Sequence, residues 1–78
     1  MEYNILGILV KNPEGESDKL QNLFLQYGCV IRTRIGINRD NIGGAIIILD
    51  LHGDARQMEL FLDELDTIKD VVYNYIKF

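Results

Sequence analysis

Arg32, Arg34 and Arg39 stand close together in the stretch RTRIGINRDN, and they are three of the four arginines in a chain of net charge −4. A guanidinium is a planar, permanently charged fork that suits bidentate contact with a carboxylate or phosphate. Arg32 and Arg34 lie two apart on an expected strand, which places both on one face, and Arg39 is expected to project from the adjacent loop. Three uses are open. The arginines could line an anion pocket for a ligand or partner, form salt bridges between subunits at an open sheet face, or sit as solvated charges that keep an edge strand from pairing with others.

Other reactive side chains are sparse. His52 and Cys29 are each the sole residue of their type. One of each makes a poor metal site, because structural zinc takes about four ligands. No metal and no cofactor is therefore expected. His52 reads as a loop or near-cap histidine and Cys29 as a small buried hydrophobe. A nucleophile–base–orienter set needs a tuned base in a cleft, and none is visible, so no enzyme activity is expected. Asp54, Glu59, Asp63, Glu64, Asp66 and Asp70 gather on the second helix and its exit. Glu59, Asp63, Glu64 and Asp66 fall largely off that helix's apolar stripe, which reads as a solvated acidic face. Asp50 interrupts an apolar strand and would need a partner if buried, with Arg32 or Arg34 the expected one. The glycines of NIGGA lead into a strand and lack a following lysine. They are expected to form a hairpin turn with φ > 0, not a phosphate loop. Tyr73 and Tyr75 share one face of their strand and could stack on a cation if the sheet brings them near one.

The elements that must hold these residues follow from periodicity. YNILGILV, from Tyr3 to Val10, is short and rich in branched residues, as a strand should be. KNPEGES follows as a turn-rich connection, with Ser17 as the expected N-cap of a helix reaching about Tyr27. Leu20, Leu23, Phe24 and Tyr27 form its i, i+3, i+4, i+7 stripe, and Gly28 stands where helices stop. CVIRTRIGI alternates as a strand, with Ile31, Thr33, Ile35 and Ile37 expected on one face. AIIILDL, from Ala45 to Leu51, is a third strand. Asp54 with Gln57 resembles a capping box, and Met58, Phe61, Leu62 and Leu65 make the second helix's stripe. Val71 to Phe78 closes the order as a fourth strand. The expected fold is α+β: a ferredoxin-like βαββαβ sandwich with a four-stranded antiparallel sheet and two helices on one face.

Seventy-eight residues are expected to make a single domain, residues 1–78, whose core is marginal when alone. With one cysteine and no metal, oligomerisation is the remaining way to add buried surface. The first and third strands are apolar on both faces: Leu6, Ile8 and Val10 with Ala45, Ile47 and Leu49 on one, Ile5, Gly7 and Leu9 with Ile46 and Ile48 on the other. A homo-oligomer, dimer or tetramer, is expected to bury the helix-free face or a strand edge that continues it. The pI near 4.7 argues against direct nucleic-acid binding. No apolar run approaches the ~18–20 residues of a membrane span, and a cytoplasmic location is the expectation.

RTRIGI, IGGAIIILDLHGD and LDELDTIKDVVYNYIKF, set in this order of elements, resemble the small stand-alone ACT-like proteins known as iron-only hydrogenase system regulators. The resemblance covers about Ile5 to Phe78. It implies a regulatory role, with a small ligand bound at a subunit interface by the loop after the first strand. Asn12, Pro13, Glu14 and Gly15 are the positions it implies for ligand contact. Glu14 and Glu16 depart from what a carboxylate ligand would want. RIGINRDNI also resembles the C-terminal domain of nickel-responsive repressors, which carries a His-x-His pair and a following cysteine on this strand. Those positions are Arg34, Gly36 and Ile42 here, so the nickel site is not implied. A module that interacts with a protein partner and takes no small ligand is the alternative.

Overall fold

A computed structural model describes the backbone of residues 4–11, 13–39 and 44–78, and side chains within these ranges except at 13–17, 38 and 39. Six elements follow in the order β1 (Asn4–Val10), α1 (Pro13–Gln26), β2 (Ile31–Arg39), β3 (Gly44–Leu51), α2 (Ala55–Leu65) and β4 (Val71–Lys77). The strands form one sheet in the order β2-β3-β1-β4, with every neighbouring pair antiparallel. This is the expected ferredoxin-like sandwich.

Alternation on β1 and β3 decides which face the helices cover. Leu6, Ile8 and Val10 are buried, as are Ile47, Leu49 and Leu51. They join Leu20, Leu23 and Phe24 of α1, Tyr27 just beyond its end, and Met58, Phe61 and Leu65 of α2 in one core. The Phe61 ring ties the two helices together, at 6.2 Å from the Phe24 centroid and 5.3 Å from that of Tyr27. Asp54 caps α2 by accepting the Arg56 N–H at 2.9 Å, while Gly53, with φ 101°, makes the sharp turn before it.

Three expectations are corrected. α1 begins at Pro13, not after Ser17, so Pro13, Glu14 and Gly15 belong to its first turn. Proline suits that position because the first helical N–H has no partner in the helix to lose. Gly44 is not in a left-handed turn; it opens β3, and a Cβ there would stand 2.6 Å from the Val10 carbonyl oxygen. Its requirement is close backbone approach. The expected turn between β2 and β3, residues 40–43, lies outside the described residues.

The third correction concerns β2. Ile31 pairs with Leu51 and Thr33 with Asp50, so the register slips between them. Ile31 and Arg34 thus both fall on the helix-covered side, opposite Leu51 and Leu49, although they are three residues apart. Beyond the bulge, Thr33, Ile35 and Ile37 share the bare face with Asp50, Ile48 and Ile46.

Candidate functional site

The helix-free face is the surface with the most unusual chemistry. Its rows, read across the sheet, are Thr33, Asp50, Ile5 and Ile76; then Ile35, Ile48, Gly7 and Asn74; then Ile37, Ile46, Leu9 and Val72. Eight of these twelve are aliphatic. Ile35, Val72 and Ile76 are about half exposed. Glycine within an apolar central strand marks a place where something is to approach closely. Nothing lies within 4 Å of the point a Gly7 Cβ would occupy. The resulting concavity, of about 430 Å³, is walled by Leu9, Ile46 and Val72 and rimmed by Lys11, Gly44 and Asn74.

The arginines divide. Arg34 lays its guanidinium 4.9 Å from the centroid of the Phe24 ring, on the helix-covered side. The cation therefore finds Phe24 and not Tyr73 or Tyr75, which stand on β4 at the far edge of the sheet. Arg32 sits at the bulge, near the opposite end from Arg39. The backbone of Arg39 pairs with Gly44, beside the concavity. Pro13, Glu14 and Gly15 follow Lys11 and lie toward the same end, whereas Asn12 lies outside the described residues. The structure thus brings the expected ligand positions 13–15 and Arg39 to one end of the sheet and leaves Arg32 and Arg34 elsewhere. Asp50 is half-buried on the bare face, and no ion pair joins it to an arginine among the described residues. The sequence places Gly7 on this face but does not show it as a dent, although an interior glycine in an apolar strand is the signal for one, and nothing in it singles out Lys11.

His52 and Cys29 are both exposed, the latter against expectation. Cys29 falls in the turn between α1 and β2, where Tyr27 and Val30 turn into the core and Cys29 does not. No group of three His, Cys, Asp or Glu side chains able to hold a metal occurs among the described residues. No helix among them is long and apolar enough to cross a membrane.

Two tyrosines on the helix side are perturbed. Burial raises the Tyr27 hydroxyl above its ordinary value, and Glu64, which accepts its proton at 3.4 Å, raises it further. Burial, then a hydrogen bond to Asp66, raises Tyr73 in the same way. A raised pKa means the native state holds the proton more tightly than the unfolded chain. The associated stability is fully present below pH 10 and is lost as pH rises through the folded values. The melting temperature should therefore fall above pH 10. In Tyr27→Phe, which keeps the ring against Phe61, the fall should be shallower than in the parent protein; an equal slope in alkaline melts would refute this.

Comparison with known proteins agrees with the architecture. No family model matches the chain, and no curated protein matches it. Among solved structures, the uncharacterized protein TM1266 from Thermotoga maritima is similar at a TM-score of 0.88 with 23% identity, covering 99% of this chain and 98% of that one. Formyltetrahydrofolate deformylases from Pseudomonas putida KT2440 and Burkholderia mallei ATCC 23344 are similar at TM-scores of 0.61 and 0.67, with 10% and 9% identity. Each match covers 94% of this chain, which spans 28% and 27% of the respective deformylases. At these identities the likeness is one of fold, and it establishes a ferredoxin-like βαββαβ domain.

Proposed function

We propose that the chain is a non-enzymatic regulatory module of the ACT-like kind, working as a homo-oligomer and sensing a small ligand held where subunits meet. The observation that carries this reading is the bare sheet face, aliphatic across its width and dented at Gly7. Solvated antiparallel faces alternate to polar residues, and large uncovered apolar patches serve as contact surfaces. The end of this face beyond the concavity, where the Arg39–Gly44 pair and the first turn of α1 lie, supports a small ligand with a polar end held at the rim of the subunit contact. The link to iron-only hydrogenase metabolism rests on the resemblance of RTRIGI and the C-terminal half. The same fold filling about a quarter of two deformylases supports a modular role.

Sedimentation at micromolar concentration tests the assembly; a stable monomer would overturn it. A thermal-shift panel of amino acids, nucleotides and divalent metals tests sensing, because a ligand that binds only the folded state raises the melting temperature by mass action. An oligomer that no member of the panel stabilises would favour the second reading, a protein-interaction module without a small ligand, which the breadth of the apolar face also supports.

A further inference from the structure

The bare face carries two pairs of complementary features whose midpoints coincide. On β1, the Gly7 dent and the Leu9 side chain lie two residues apart, and their midpoint is Ile8. Lys11 stands exposed at one end of the face. Asp50, paired with Ile5, stands at the other. The midpoint of rows 5 and 11 is again Ile8, which pairs with Ile47.

We propose that a second copy of this chain covers the bare face, sheet against sheet, about a two-fold axis that runs across the strands at the level of Ile8 and Ile47. The proposal rests on the homo-oligomer reading above and gives it a geometry. Such an axis keeps each strand over its own counterpart and reverses its direction. Leu9 of the partner subunit then fills the dent over Gly7, and Lys11 meets Asp50 of the partner subunit. Both contacts occur twice, as an isologous interface requires. On β3 and β2 the exchange is aliphatic for aliphatic, Ile46 with Ile48 and Ile35 with Ile37, whose rows flank the axis. Asn74 falls on the edge strand β4, at the rim, where polar groups belong.

Other axes fail on charge or shape. A two-fold parallel to the strands sets Lys11 level with Lys11 of the partner subunit, and Asp50 level with its own copy. Two chains of charge −4 repel at long range, so a register that adds like-charge contacts is disfavoured. An axis one row toward Asn4 stacks Gly7 over its own copy and leaves a void, and one a row toward Val10 stacks Leu9 on its own copy and sets Lys11 over the dent in place of an aliphatic side chain. The area suffices for a reversible dimer. Four strands about 4.8 Å apart and about seven residues long present roughly 440 Å² per copy in projection. Side-chain relief increases this toward the roughly 500–600 Å² per partner of the smaller specific interfaces.

The test is a charge exchange read by sedimentation. Lys11→Glu and Asp50→Lys should each weaken the dimer by about ten-fold or more, and the double variant should recover most of the loss. Gly7→Val, whose Cβ would meet no other atom within 4 Å, should abolish the dimer by filling the dent, while leaving the circular dichroism melt of the monomer intact. A monomeric parent protein would overturn the homo-oligomer reading and this geometry together. An oligomeric parent whose association is unchanged by both single charge variants and by Gly7→Val would overturn the geometry alone.

Discussion

Phe61→Ala should come close to unfolding the domain. Phe61 has no exposed surface, and its ring is the shared neighbour of Phe24 and Tyr27, so it joins α2 to α1 over the sheet. Truncating a buried phenylalanine costs about 3–5 kcal/mol, the sum of lost transfer energy and the cavity left behind. A domain of this size has roughly 4–12 kcal/mol to lose. The variant should show a urea midpoint reduced by a third or more, or no cooperative transition. Phe61→Leu, which keeps most of the volume, should lose far less. Similar midpoints for the two variants would show that the helices do not depend on this ring.

Gly44→Ala should be the most damaging single-methyl change on the sheet. The added carbon, held rigidly by its own backbone, would stand 2.6 Å from the Val10 carbonyl oxygen, which is backbone and cannot rotate away. Separating β3 from β1 at this end also disturbs the Val10–Ala45 pairing. Overpacking of this kind costs about 1–3 kcal/mol. Gly36→Ala is the control. That glycine also lies in a strand, with nothing within 4 Å of its Cβ position, so the change should be neutral or gain up to about 1 kcal/mol. Equal effects of the two substitutions in urea melts would rule out close approach as the reason for Gly44.

The core was legible wherever burial follows from local spacing. Leu20, Leu23, Phe24 and Tyr27 needed only the helical period, and the alternation of β1 needed only the strand period. Asp54 was legible as a cap because its preference comes from its own side chain. The bulge in β2 was not, because a register slip depends on how β3 pairs with it, and RTRIGI alternates equally well with or without one. That slip undid the pairing expected between Asp50 and an arginine. Arg34 instead found Phe24, ten residues back on the preceding helix, a neighbour no local rule supplies. At the candidate site, the apolar doubling of β1 and β3 was visible in the residues. The dent at Gly7 and its level relation to Leu9, Lys11 and Asp50 required the strand register.

The place of β1 in the sheet bears on how the chain reaches this fold. β1 is made first, yet all its hydrogen-bonded neighbours come late: Ala45 lies 35 residues beyond Val10, and Lys77 lies 73 beyond Asn4. Only the β2–β3 hairpin can zip from nearby residues. Closing long loops slows folding, because their entropy is lost before the contacts form. During synthesis the most apolar strand must therefore wait without a ladder until β3 emerges, and it keeps one unpaired side until β4 does. Variants that delay β4 should populate aggregating intermediates even where the finished fold tolerates them.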